Sequence, residues 1–194
     1  MAVHSAGPQA DKEEIMDKYY TVDIAGLKRD LLRCPLNEHL DIAAFIMFGD
    51  VELTVHAATE LIKRLPEFDY IVTPEAKSIP LAYEMSRQSG KKYFVARKKA
   101  KLYMKSPVTV SVQSITTSGI QTLILDGVDG EQIKGKRVVV LDDVISTGES
   151  LRAMEELLAQ FNCEIVAEAA VLAEGDAAKR DDITFLGTIP LIEK

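Results

Sequence analysis

The feature that most constrains this chain is a thirteen-residue run, Val138-Val139-Val140-Leu141-Asp142-Asp143-Val144-Ile145-Ser146-Thr147-Gly148-Glu149-Ser150. Its first four residues are β-branched or aliphatic without alternation, as in a strand buried on both faces. Two adjacent carboxylates stand at the end of that run. A loop of hydroxyls and one glycine follows, and then Leu151, Met154, Leu157, Leu158 and Phe161 recur at helical spacing. Strand, acidic pair, polar loop and helix start in this order describe one unit of a parallel α/β sheet. In such sheets ligands bind outside the carboxyl ends of the strands.

The chemistry of the run is divided. Ser146, Thr147 and Ser150 offer hydroxyls, Gly148 lets a ligand approach the backbone, and the first helical turn leaves N–H groups unpaired, which together suit a phosphate. Asp142 and Asp143 would repel a phosphate placed directly on them. They suit sugar hydroxyls, a metal ion or a developing cation instead. A phosphorylated sugar satisfies both halves. Rival readings lack parts: there is no GxxxxGK[ST] for a nucleotide triphosphatase and no GxGxxG for a dinucleotide fold. A receiver domain carries its acidic pair after its first strand, and only 51 residues follow Asp143 here.

Upstream, Tyr20, Val22 and Ile24 alternate before Ala25-Gly26 and an extended stretch to Pro35, which predicts a hairpin. Asp50 caps a helix carrying Val51, Val55, Ala58, Ile62 and Leu65 and ended by Pro66. A strand at Tyr70–Thr73, a loop at 74–78, a helix at Leu81–Arg87 and a strand at Tyr93–Ala96 continue the α/β rhythm. Val108, Val110 and Val112 alternate with polar residues and pair with Ile120–Leu125 in an expected hairpin. Asp126–Gly135 reads as a turn-rich connection, and Ile165–Leu172 and Ile183–Leu186 as closing strands. Residues 1–14 read as a disordered tail ahead of one domain over 15–194, divided into a hood with the first helix (15–67) and a core (68–194).

Charge is distributed unevenly. Between Met85 and Leu125 there are eight basic residues and no acidic one, a +8 segment that leaves −15 for the rest of a chain whose formal charge is −7. A basic patch on an acidic molecule fits a compact polyanion. Residues 11–69 carry 7 basic and 13 acidic side chains, which argues against a nucleic-acid-reading module there. No apolar run is long enough to span a membrane, and Cys34 and Cys163 with three scattered histidines offer neither a disulfide framework nor a metal-ligand spacing. The expectation is a soluble, cytoplasmic protein.

The run Val138–Ser150 resembles the phosphoribosyl pyrophosphate (PRPP) signature of the type I phosphoribosyltransferases. Glu75-Ala76-Lys77-Ser78 is similar to the pyrophosphate loop that adenine phosphoribosyltransferases write as Glu-Ala-Arg-Gly, with lysine replacing the forked arginine. Arg97-Lys98-Lys99-Ala100-Lys101-Leu102 resembles the Arg-Lys-x-Gly-Lys-Leu run of the same enzymes. The resemblance implies a type I phosphoribosyltransferase fold: a central parallel sheet flanked by helices, an antiparallel flap hairpin and a small N-terminal hood. It implies that Asp142 and Asp143 hold the ribose hydroxyls, that Val144, Ile145, Ser146, Thr147, Gly148, Glu149 and Ser150 form the PRPP-phosphate loop, and that Glu75, Ala76, Lys77, Ser78, Arg97, Lys98, Lys101 and Tyr103 serve the pyrophosphate. Lys101 joins the two aspartates as a catalytic residue, and Lys105 lies within the same flap.

The implied reaction is transfer of the phosphoribosyl group to a purine, adenine being the closest match, in purine salvage. Mg²⁺ would be carried by PRPP rather than by direct protein ligands, with Asp142 or Asp143 reaching it through water. PRPP and a nucleobase are the implied partners, with a homodimer as the assembly. Two departures bear on the base. The flap stretch Ser114–Gly119 has no acid where the adenine enzymes carry glutamate, and Ser146 replaces the aspartate that the hypoxanthine-guanine enzymes use as a base. Hypoxanthine or xanthine as acceptor, and a PRPP-sensing regulator with this fold, stand as alternatives. The selecting hood is expected from residues 15–50 and the 173–180 loop.

Overall fold

The strand Arg137–Ile145 (β8) lies at the middle of the molecule and has no polar face along its first half. Val138 and Val140 pack into one apolar layer and Val139 and Leu141 into another, all of them buried, because alternate strand residues point to opposite faces of a sheet. In this computed structural model, which describes residues 18–113 and 120–194, β8 belongs to a five-stranded parallel sheet. The other strands are β4 (Tyr70–Pro74), β5 (Lys92–Ala96), β9 (Glu164–Glu174) and β10 (Thr184–Ile189), in the order β10-β9-β8-β4-β5. The chain runs outward in one direction from β4 to β5 and in the other from β8 to β10. The topological switch therefore falls between β4 and β8, where open α/β sheets form their binding crevice.

Helices α1 (Val51–Ile62) and α2 (Ile79–Ser89) cover one face of the sheet, burying Leu53, Ala57, Leu61, Leu81 and Met85. Asp50 caps α1 by accepting from the Leu53 amide at 3.0 Å. The other face is covered by α3 (Gly127–Ile133), by α4 (Glu149–Ala159), and by the hairpin β6 (Val108–Gln113) and β7 (Ile120–Leu125). The alternation of Val110 and Val112 is thereby explained. They turn inward with Leu123 and Leu125 onto the α4 layer, while Ser111 and Thr122 meet across the outer face at 3.3 Å. Residues 114–119, the stretch that lacks an acid in the sequence, and the expected tail at 1–14 lie outside the described residues.

Three features depart from the sequence expectations. The supposed turn-rich segment after Asp126 contains α3, which Asp126 caps through the Val128 amide at 3.1 Å. Its two glycines are there for space: a Cβ on Gly130 would sit 1.9 Å from the Phe161 ring. Second, β8 continues through the acidic pair to Ile145, so the two aspartates lie within a strand. Third, the hood is a four-stranded sheet, β1 (Tyr19–Ile24), β2 (Leu27–Pro35), β3 (Leu40–Ala44) and β11 (Leu191–Glu193), in which the end of the chain pairs with β3. The segment 173–180 contributes the end of β9 and a 3₁₀ turn at Gly175–Lys179. No helix among the described residues is long and apolar enough to cross a membrane.

Candidate active site

The pairing of β4 with β8 runs from Tyr70–Val138 to Val72–Val140. Beyond it the buried Thr73 hydroxyl spans the gap, donating to the Leu141 carbonyl at 2.8 Å, with the Ser78 hydroxyl 2.7 Å away. Past this bridge opens a cavity of about 680 Å³ lined by Pro74, Glu75, Ala76, Lys77, Lys98, residues 121–123, Asp142, Asp143, Val144 and Ser150. A second cavity of about 480 Å³ shares Gln121, Asp142, Val144 and Ser150 with the first. It continues along the loop 145–150 to Leu36, Ile42, Glu174 and Leu191. The two form one crevice at the switch point, with the aspartates at its centre.

The acidic pair is held from several sides. Asp142 accepts from the Asp143 amide at 2.8 Å and from the Ser150 hydroxyl at 3.2 Å. Burial, and then the neighbouring Asp143 charge, push the Asp142 carboxyl up to about 7. Asp143 is buried, and its Oδ2 lies 2.6 Å from Lys77 Nζ. The approach is that of a contact ion pair; the angle is not that of a hydrogen bond. The Lys77 side chain is half exposed, so its ammonium faces the cavity while neutralising a carboxylate beneath it.

The loop after β8 leads to Gly148, which takes φ +80° as the cap of α4 and lies beside the Arg180 guanidinium. A Cβ there would stand 3.3 Å from Arg180 Nη1, in a conformation that a side chain resists. Ser146 and Thr147 are exposed on this loop, and Thr147 accepts from the Glu149 amide at 3.5 Å. Hydroxyls and the amino end of an eleven-residue helix thus border the crevice opposite Lys77.

The basic segment is organised by Glu75. Its carboxylate accepts from the Lys98 amide at 2.9 Å and from Arg97 Nε at 3.2 Å, and these hold it below the usual carboxylate range. Arg97 in turn exchanges both backbone hydrogen bonds with Ile124 of β7, at 2.7 and 2.8 Å. At the other end of the loop, the Lys105 amide donates to Asp126 and the Lys105 carbonyl accepts from Gly127, each at 3.0 Å. Residues 98–104 therefore project between two fixed points. Lys98 reaches the crevice; Lys101 and the exposed Tyr103 lie on the projecting loop and are not among the residues lining it.

Of the residues singled out from sequence, Glu75, Ala76, Lys77, Lys98, the aspartates and the loop 144–150 converge on the crevice. Ser78 does not; its hydroxyl is spent inside, on Thr73 and the Pro74 carbonyl, at the start of α2. Sequence reasoning missed Gln121 and Thr122 from the hairpin and Leu191 beside the second cavity; Leu36, Ile42 and Glu174 fall inside the stretches 15–50 and 173–180 expected for the hood, although none of them was singled out. Only the lack of charge in the hairpin hinted at the first pair. Nothing local marked the others, which are brought together by strand pairing.

The phosphoribosyl transferase domain family matches residues 52–192, which span both halves of this crevice. A hypoxanthine/guanine phosphoribosyltransferase of Methanococcus voltae is 35% identical over 162 residues, covering 75% of this chain and 83% of its own length. An adenine phosphoribosyltransferase of Thermosipho africanus is 31% identical over 147 residues, 72% of this chain and 84% of that protein. The fold is also that of a solved adenine phosphoribosyltransferase from Thermoanaerobacter pseudethanolicus, with a TM-score of 0.60 at 17% identity over 92% of this chain and 98% of the other. A cleft at the β4/β8 switch, an acidic pair inside β8 and a hydroxyl-glycine loop entering α4 are thus the parts of a known fold, and the chain belongs to the phosphoribosyltransferase family.

Proposed function

We propose that this enzyme transfers the 5-phosphoribosyl group of PRPP to a ring nitrogen of a purine. The C1′–oxygen bond to pyrophosphate breaks, a C1′–nitrogen bond forms, and the nitrogen loses its proton, giving a nucleoside 5′-monophosphate. The observation that carries this reading is the position of Asp142 and Asp143 between two unlike ends of one crevice: ammonium groups at Lys77 and Lys98, and a hydroxyl loop at a helix start. Relatives named for hypoxanthine and guanine and for adenine support a purine as acceptor.

In this reading Ser146, Thr147, Gly148 and Ser150, with the amides of the first turn of α4, take the 5′-phosphate. Asp142 and Asp143 orient the ribose hydroxyls and stabilise positive charge developing at C1′. Lys77, Lys98 and Arg97 neutralise the departing pyrophosphate, and the loop bearing Lys101 and Tyr103 closes over it to exclude water. The residues present also fit Mg²⁺ carried in with PRPP, because burial and a neighbouring carboxylate leave Asp142 short of positive charge. The ion's contribution when bound is to neutralise pyrophosphate and ribose oxygens. Among the described residues no group of three or more His, Cys, Asp or Glu side chains is placed to hold a metal unaided.

The assembly we propose is a homodimer through the face where α1 and α2 meet. Ile46, Phe48, Val51 and Tyr83 are more than half exposed there, around a largely apolar hollow of about 470 Å³. The compartment is the cytoplasm, in keeping with two unpaired thiols. The test is pyrophosphate release from PRPP and Mg²⁺ with adenine, hypoxanthine, guanine, xanthine, uracil and orotate offered singly. The double variant Asp142→Asn/Asp143→Asn serves as blank. Purine-dependent release that vanishes in the blank supports the reading; release with none of the six by a folded protein overturns it.

A further inference from the structure

We propose that Arg180, which lines neither cavity, is a positioning residue for the 5′-phosphate: it fixes the loop 145–150 from behind, through Gly148. This deepens the reading just given and rests on it. Arg180 closes the 3₁₀ turn Gly175–Lys179, its amide donating to the Ala177 carbonyl at 3.1 Å. Ala177 is buried in the same apolar layer as Leu151 and Met154 of α4, so the backbone that carries the guanidinium is anchored in the core. Two of the three guanidinium nitrogens are committed. Nε and Nη2 donate to the two oxygens of Asp182 at 2.8 and 2.7 Å, and Nη2 also lies 3.6 Å from Oε2 of the buried Glu168. A guanidinium is planar and presents its donors in a rigid fork, so holding one edge aims the remaining nitrogen. That nitrogen, Nη1, makes no hydrogen bond among the described residues and lies against Gly148, where a Cβ would stand 3.3 Å from it.

Gly148 is where the loop turns into α4, at φ +80°, and no side chain caps this helix start. The direction of the first-turn amides, which the reading gives to the phosphate, is therefore set at this one residue. Glycine takes a positive φ at little cost and is equally free to leave it. The guanidinium removes that freedom by filling the side on which a Cβ would project. Donors fixed before the ligand arrives lose less entropy on binding than donors that must be gathered. The same arrangement orients charge. Asp182 and Glu168 engage the edge of the guanidinium away from Nη1, so the positive end of the group faces the loop and its carboxylates lie behind. Lys77 and Lys98 stand on the first cavity, at the pyrophosphate end of the crevice, and Arg180 acts at the other.

The test sets Arg180→Gln against the wild type in the full chain, by steady-state kinetics and by calorimetry with two probes, ribose 5-phosphate and Mg²⁺-pyrophosphate. The KM for PRPP and the Kd for ribose 5-phosphate are each expected to rise at least fivefold. The KM for the base, kcat and the Kd for pyrophosphate are expected to stay within twofold. A merely structural role would weaken both probes and lower kcat together, and that result overturns the proposal, as does unchanged ribose 5-phosphate binding. In Arg180→Gln/Glu168→Gln no buried carboxylate is left without its cation, and the same loss is expected; recovery there would trace the loss to Glu168 and overturn the role. Arg180→Lys keeps the charge without the fork and should recover less than half of the loss, whereas full recovery would overturn positioning through Gly148. In these cases the transferase reading stands. If no base supports turnover, that reading fails instead, and the two probes still decide on Arg180. A wild type that does not bind ribose 5-phosphate overturns the assignment of the loop and this role with it.

Discussion

Lys77 Nζ lies 2.6 Å from Asp143 Oδ2, joining the loop after β4 to the acidic pair inside β8 across the switch point of the sheet. Sixty-six positions separate the two residues in sequence, and neither has its full meaning without the other. A buried carboxylate needs a cation, and a cation at the lip of a crevice needs a fixed place from which to meet an anion. The pair supplies both. Replacing Lys77 by methionine therefore has two separable consequences. The KM for PRPP rises at least tenfold, and folding stability falls by about 1–2 kcal/mol because Asp143 loses its counter-ion, a cost moderated by the exposure of Lys77. In Lys77→Met/Asp143→Asn stability returns while activity does not. Urea denaturation beside steady-state kinetics measures both; an unchanged KM in the single variant would remove Lys77 from the pyrophosphate site.

Hood and core meet at a glycine. A Cβ on Gly187 of β10 would stand 2.4 Å from the Asp23 carbonyl of β1, so the two strands touch only because the side chain is missing. Gly187→Ala is expected to destabilise the protein by about 1–3 kcal/mol through overpacking. It should also raise the KM for the base more than that for PRPP, because the displaced hood carries Leu36 and Ile42. A calorimetric scan with base and PRPP titrations checks this, and equal effects on the two substrates would contradict it.

Acid stabilises part of the core. Glu168 on β9 is buried; desolvation first, and then the adjacent Glu155, raise its carboxyl to about 7, although Arg180 Nη2 at 3.6 Å opposes the rise. The folded protein thus holds a proton that the unfolded chain releases from about pH 4.5 upward. Stability contributed by this group falls as pH rises through the window from about 4.5 to about 7, and levels off above it. Glu168→Gln should match the wild type near pH 4.5 and exceed it at pH 8 by on the order of 1–2 kcal/mol. Asp142 and Asp129, whose carboxyls burial also raises, leave a slope of the same sign in the variant. Urea midpoints at pH 4.5, 6 and 8 give the comparison, and parallel curves for the two proteins would refute the assignment.

The exposed face of α1 and α2 makes a claim about assembly. Val51 is 72% exposed and Tyr83 57%, beside the hollow bordered by Met47, Val55 and Ile79. Sedimentation equilibrium at micromolar concentration should give a dimer mass, and Val51→Glu/Tyr83→Glu should give a monomer of unchanged helix content. A monomeric wild type would refute this interface.

The sequence by itself determined what depends on neighbours along the chain. A strand buried on both faces reads as an unbroken run at Val138–Leu141, and the hydroxyls of Ser146, Thr147 and Ser150 act within one turn of each other. Asp50 beside Val51 announces a helix start in the same local terms. The order of these pieces, with the pyrophosphate-loop and basic-run resemblances, was enough to expect the family and a polyanion-binding cleft. The small α3 escaped because Gly127 and Gly130, poor helix formers, are present to admit the Lys105–Ser106 backbone and the Phe161 ring, which are remote in sequence.

Tertiary structure decided the rest. That β4 and β8 are neighbours, that their pairing ends at Val72 and Val140, and that Lys77 thereby reaches Asp143 are matters of register between distant strands. The second cavity is the clearest case. Leu36 follows the hood's second strand, Ile42 lies on its third, Glu174 ends a core strand and Leu191 opens the last. Nothing in the local composition of any one of them marks a binding wall, since an apolar side chain reads alike whether it faces a core or a ligand. They meet because β11 closes antiparallel on β3, and so the end of the chain faces the loop that follows the acidic pair.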